Sequence, residues 1–236
     1  MKKLTEALED MGLDYTEDAI EKFRRYMELI LEWNEKVNLT SITNREEFVI
    51  KHYIDSIAIC GFPQMKEAQN VIDVGTGAGF PGIPLAILQP DKTFLLLDSL
   101  NKRIRIIEEI AREIGLRNVS LLHGRAEEQA QNRAYRERYD LCVSRAVANL
   151  AVLAEYCLPF VRVGGWFAAY KSETAEEELK ESRRTISILG GQPEEIGKLN
   201  IKGYDLNHRI LFIKKTGMTP ANYPRKAGTP AKEPLK

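Results

Sequence analysis

The stretch VIDVGTGAGFPG, residues 71–82, constrains this chain more than any other. A short apolar run closes on an acid, glycines follow at 75, 77 and 79, and GIPLAIL then reads as the start of a helix. Strand, glycine turn and helix in that order are the opening unit of a parallel α/β sheet that binds a nucleotide at its carboxyl edge. The glycines permit positive φ and close approach of a ligand to the backbone. The stretch can be read in two registers. GAGFPG (77–82) satisfies the dinucleotide pattern G-x-G-x-x-G, whereas DVGTGAG (73–79) puts an acid ahead of alternating glycines.

The chain beyond the loop supports the α/β reading. VIDV (71–74), TFLLLD (93–98), NVSLLH (118–123), YDLCVS (139–144), GWFAAYK (165–171) and RILFIK (209–214) read as strands. Residues 82–89, 101–115 and 148–161 read as helices, with a short one over 126–133. Largely unbroken apolar strands separated by helices imply a parallel sheet covered on both faces. The first sixty residues look helical instead. Thr16 is a candidate N-cap, and Ile20, Phe23, Met27, Ile30 and Leu31 then keep one apolar stripe. Thr43 with Glu46, and Thr174 with Glu177, have capping-box spacing, so each is expected to open a helix. Gly61 and Pro63 are expected to end the first of these helices, near Ile59. The expected division is a helical N-terminal extension over 1–62, an α/β core over 63–216, and an irregular Pro-rich tail over 217–236.

Electrostatics separate the two registers. A pyrophosphate would lie close to an anionic Asp73, and Pro81 and Pro84 each lack an amide that could cradle a phosphate. S-adenosylmethionine has no phosphate, and its sulfonium and α-amino group are cationic, so an acid beside the loop favours it. The preferred register therefore makes Asp73, Gly75, Gly77 and Gly79 cofactor residues. Asp98, ending its strand, can accept from a ribose diol. NAD-binding proteins use the same device, so Asp98 supports an adenosine ligand without choosing the cofactor. Capping of the next helix is the plainer role for Asp98, and Ser99 is able to fill it.

Formal charge is zero, with 34 basic and 34 acidic residues, which argues against a general nucleic-acid binder. The distribution is uneven: residues 1–48 carry seven Lys/Arg and twelve Asp/Glu, while residues 214–236 carry six Lys/Arg and one Glu. The tail is the natural place for an anionic partner. Cys60, Cys142 and Cys157 form no C-x-x-C pair, so no metal is expected, and they read as buried thiols of a reducing compartment. Without a signal peptide or a membrane-spanning apolar run, the expectation is a cytoplasmic monomer with no membrane partner.

The chain resembles the bacterial GidB (RsmG-type) methyltransferases in EWNEKVNLTSIT (32–43), KHYIDS (51–56), DVGTGAGFPGIPLAI (73–87), LLDSLNKR (96–103), GRAEE (124–128), YDLCVSRAVA (139–148) and YPRKAGTPAKEPL (223–235). The resemblance implies transfer of methyl from S-adenosylmethionine to a guanine N(7) of 16S rRNA in the small ribosomal subunit. It also implies a Rossmann-like methyltransferase fold, a mainly parallel seven-stranded sheet with one antiparallel strand and helices on both faces. Gly75, Phe80, Ala126, Glu127 and Arg145 are implied to line the cofactor pocket. Lys171-Ser172 departs from the Lys-Gly of many relatives. Guanine N(7) carries a lone pair and no proton, so no general base is required, and Arg145 is the candidate for orienting guanine through O6. Lys102, Arg103, Lys171, Arg225, Lys226 and Lys232 are candidates for a phosphate-binding rim, together with Arg105. His52, Asp55 and Ser56 are expected to pack on the loop or bond one another; His123 and His208 read as structural. The rival readings are a methyltransferase of small molecules or proteins, and a non-catalytic ribosome-binding module.

Overall fold

The computed structural model describes residues 1–145, 147–198, 204 and 209–235, without the side chains of 195 and 198. His208 lies outside the described residues. Seven strands, β1 (Asn70–Val74), β2 (Thr93–Asp98), β3 (Val119–His123), β4 (Tyr139–Arg145), β5 (Val161–Lys171), β6 (Gly191–Lys198) and β7 (Arg209–Lys215), form one sheet in the order β3-β2-β1-β4-β5-β7-β6. The pairs from β3 to β5 are parallel, and β7 runs antiparallel to both neighbours. The order reverses between β1 and β4, which opens a crevice at their carboxyl ends.

The pleat sorts β1 between two apolar cores. Val71 joins the core on the side of the N-terminal helices, and Ile72 and Val74 join the opposite core with Cys142, Leu153 and Phe167. The helix Gly82–Leu88 is buried at every position, and the helix Asn101–Glu113 buries Ile104, Ile107 and Ile110 while its charges face outward. The N-terminal helices Lys2–Asp10 and Glu17–Asn34 share the first core through Leu4, Leu8, Phe23 and Ile30. No described helix is long and apolar enough to cross a membrane.

Several boundary expectations need correction. Thr16 does cap its helix, accepting from the Ala19 amide at 3.1 Å. Thr43 does not: Asn44 caps the helix Arg45–Phe48, taking the amides of Glu46 and Glu47 at 3.0 Å each. The backbone continues as a π-helical segment, Val49–Ile54, and stays helical to Gly61. Pro63 opens a helix (Pro63–Glu67), as suits a residue without an amide donor. Thr174 makes no side-chain cap of Ala175–Ile188; its hydroxyl reaches Glu178 at 3.3 Å. β6 was not anticipated, because GQPEEIGK holds a proline and two acids and lies at the sheet edge with a bulge near Pro193. The tail is irregular apart from the helix Thr229–Lys232.

Candidate cofactor and substrate site

A cavity of about 320 Å³ opens at the carboxyl ends of β1 to β4. Its wall comes from Val74 and Gly75 of the glycine loop, from Leu97 to Leu100 and Arg103, from Gly124 to Glu127, and from Val147 and Tyr156. Gly75 has φ +76° and its amide donates to the Leu97 carbonyl at 2.8 Å. A side chain at 75 would stand 2.6 Å from Val147 Cγ2, so glycine is required for this close approach. Asp98, nearly buried, takes the Gly77 amide on Oδ2 at 2.9 Å and the Leu100 amide on Oδ1 at 2.8 Å. Each carboxylate oxygen therefore keeps a lone pair for a further donor. This bond to Leu100, not Ser99, ties down the start of the next helix. Leu100 and Val147 are the exposed apolar side chains of the cavity, at 51% and 41%. Glu127 lies on the wall, and its Oε1 accepts from the Gly228 amide of the tail at 2.7 Å.

The opposite side of the loop is core. Asp73 is fully buried and is not among the residues that line the cavity. Its Oδ2 accepts from the Thr76 hydroxyl at 2.7 Å and the Gly82 amide at 2.9 Å, closing the loop onto the helix that follows. Oδ1 has no hydrogen-bond partner among the described residues, and burial raises the carboxyl pKa to about 6. Gly77 is half-buried and Gly79 buried, and neither is on the cavity wall. A Cβ at Gly79 would meet Tyr26 Oη at 2.5 Å. Phe80 is 5% exposed and packs among Tyr26, Phe48 and Tyr53, so it too stands away from the wall.

Arg145, at the end of β4, is likewise absent from the wall. Its Nη1 donates to Asp55 Oδ2 at 2.6 Å and to the Lys51 carbonyl at 3.1 Å, and its Nη2 donates to His52 Nδ1 at 3.3 Å. The guanidinium lies 5.3 Å over the Phe80 ring, and the His52 ring stacks on Phe80 at 4.3 Å with 10° between planes. Burial first, then the charge of Arg145, lowers the His52 pKa to about 3. A neutral ring that accepts at Nδ1 carries its proton on Nε2, which donates to Thr40 Oγ1 at 2.8 Å. Asp55 and His52 thus reach the loop through Arg145 and Phe80, and the Ser56 hydroxyl bonds the His52 carbonyl. His123, exposed, contacts the Ser99 carbonyl at 3.2 Å.

The expected cationic rim divides. Lys171, its side chain 9% exposed, donates to the Ala148 carbonyl at 2.6 Å and pairs with Glu178 at 2.7 Å. Arg225 holds the buried Glu155 carboxylate through Nη2 at 2.7 Å and Nε at 2.9 Å. Both make internal ties. Lys102, Lys226 and Lys232 are exposed, Arg105 is exposed on the same helix as Lys102, and Arg103 is on the cavity wall. Arg125, inside the GRAEE stretch but not singled out from the sequence, is a second arginine of that wall. Ser99, Leu100, Val147 and Tyr156 were also missed; all but Tyr156 lie within two residues of a strand end, where such walls form.

A family model described as "GidB: rRNA small subunit methyltransferase G" matches residues 19–207. A protein of Clostridium novyi named ribosomal RNA small subunit methyltransferase G is 50% identical over 98% of this chain and 96% of its own length. One of the same name from Clostridium tetani is 48% identical over 99% and 98%. Among solved structures, Aeropyrum pernix fibrillarin, crystallised with natively bound S-adenosyl-L-methionine, superposes with a TM-score of 0.54 at 15% identity. It covers 70% of this chain and 75% of that one, and likeness at such identity shows a shared fold.

Proposed function

The chain belongs to the GidB family of small-subunit ribosomal RNA methyltransferases, enzymes that use S-adenosylmethionine, and on that premise we propose that it methylates N(7) of one guanine in that RNA. The residues present fit the cofactor. The cavity takes a nucleoside-sized ligand, Asp98 keeps lone pairs for a ribose diol, and Leu100 and Val147 offer apolar surface to a base. Gly75 lets the ligand approach the backbone, and Ala126 and Glu127 are on the cavity wall. Asp73 and Gly79 act indirectly, by fixing the shape of the loop. The bound cofactor supplies a sulfonium methyl group for in-line displacement.

The rest is alignment. Guanine N(7) has a lone pair and no proton, so the protein needs no general base and contributes by holding the base in line. Arg145 is the orienting residue, through donors left over from its own network. Lys102, Arg103, Arg125 and Lys226 contact phosphates, while Lys171 and Arg225 hold the fold. The observation that carries this reading is the Asp98 carboxylate on the cavity wall, half satisfied by the amides of Gly77 and Leu100. Methyl-labelled cofactor incubated with the protein and small ribosomal subunits lacking the modification tests it. Label recovered as 7-methylguanosine after digestion to nucleosides is the expected result. Label in another nucleoside, in protein or in small molecules alone would overturn it.

A further inference from the structure

The cluster of Arg145, His52, Asp55 and Phe80 joins three parts of the chain beside the glycine loop. An arginine has five N–H donors. Both Nη1 donors of Arg145 are taken, by Asp55 and by the Lys51 carbonyl, and one Nη2 donor is taken by His52. The Nε donor and the second Nη2 donor have no partner among the described residues. We propose that His52 and Asp55 are positioning residues, supplied by the N-terminal helices to fix Arg145 so that its two remaining donors address the substrate base. This rests on the reading of Arg145 as the base-orienting residue.

The local chemistry suits that task. The Arg145 side chain is 13% exposed and that of Asp55 1%, so the pair is nearly dry. A dry ion pair gives little net stability over a well-packed apolar pair, but it does fix orientation. His52 can accept from Arg145 only while neutral, and burial together with the neighbouring guanidinium keeps it so across the physiological range. Thr40 takes the Nε2 proton and so holds Nδ1 as the acceptor. The same ring stacks on Phe80, which ties the arginine to the glycine loop. Lys51 and His52 sit on the π-helical segment Val49–Ile54, with Asp55 next in sequence. Such segments are rare, and many occur at functional sites.

Two substitutions separate positioning from simple support of the loop. His52→Phe keeps a flat ring on Phe80 and removes the acceptor. His52→Asn keeps an acceptor near the Nδ1 position and removes the ring. Turnover and KM are measured on small subunits, with the dissociation constant of S-adenosylhomocysteine as the readout of an intact cofactor site. The expected result is a kcat about tenfold lower for His52→Phe, KM and cofactor affinity within about twofold, and recovery of most of the loss in His52→Asn. Adding His52→Phe to Arg145→Gln should lower kcat no further. The opposite pattern, with His52→Phe unimpaired and His52→Asn losing cofactor affinity, would reduce His52 to a ring that supports the loop and overturn the proposal. If Arg145→Gln turns over normally, the base-orienting role of Arg145 fails. If it loses turnover while His52→Phe does not, the positioning claim alone fails.

Discussion

The two faces of the glycine loop are made from neighbouring residues and do different work. On the cavity face, Gly75 stands on the wall and the Gly77 amide bonds the wall residue Asp98. On the buried face, Gly79 abuts Tyr26, Phe80 stacks on His52, and Asp73 ties Thr76 to Gly82. Asp73 and Asp98 lie at or next to the carboxyl ends of adjacent parallel strands, yet one carboxylate lies in the core and the other in the cavity wall. A residue inside a binding motif is therefore as apt to shape the loop as to touch the ligand.

The largest effect that distinguishes the faces is expected from the glycines. Gly79→Ala requires a side chain at φ +91°, 2.5 Å from Tyr26 Oη and 2.8 Å from Ile83 Cγ1. It should cost about 4 kcal/mol, combining overpacking with left-handed strain. Gly77→Ala, at φ +60° with nothing within 4 Å, should cost only about 1 kcal/mol. Urea unfolding of the two variants compares them directly, and equal losses would mean that the faces do not differ in packing.

A similar contrast holds for the two neighbouring cations of the tail. Arg225→Ala takes the guanidinium from the buried Glu155 carboxylate and leaves it only the amide of residue 225, which should destabilise by about 3 kcal/mol. Lys226 is exposed, and Lys226→Ala should stay within about 0.5 kcal/mol. Its loss should appear as weaker binding to small subunits at low salt, measured by filter binding across a salt series.

The smallest contrast is a pH slope. The folded-state pKa of Asp73 is raised to about 6 from 3.8, so folding favours the protonated form. Its contribution is fully present below pH 4 and disappears as pH rises through 6. Asp73→Asn can still accept from Thr76 and Gly82 through its amide oxygen. Relative to that variant, the natural chain should lose about 2 kcal/mol between pH 4 and pH 7. Unfolding curves across that range check it, and parallel stability profiles would place the Asp73 carboxyl in water rather than in the core.

Much of this was legible in sequence because it is local. The apolar runs marked six of the seven strands, and the acid ending TFLLLD fell on the cavity wall. Period-two alternation puts Asp73 on the Val71 face of β1, toward the N-terminal helices, although the glycine pattern alone drew it to the cofactor. What stayed hidden depends on partners far along the chain. Glu155 meets Arg225 across 70 residues, and Asp55 meets Arg145 across 90. No spacing rule announces such pairs, so Arg225 looked like a free cation; Lys171 did too, although its partner Glu178 lies only seven residues on. β6 lacked an apolar signature because an edge strand tolerates proline and acids.

The division of the loop into a cofactor face and a core face is tested most directly by titrating S-adenosylhomocysteine into Asp98→Ala and Arg145→Gln by calorimetry. Asp98→Ala should bind at least about tenfold more weakly, through the lost charge-assisted hydrogen bonds. Arg145→Gln should bind like the natural chain while failing to methylate small subunits. Loss of cofactor affinity in Arg145→Gln with Asp98→Ala unaffected would contradict the division.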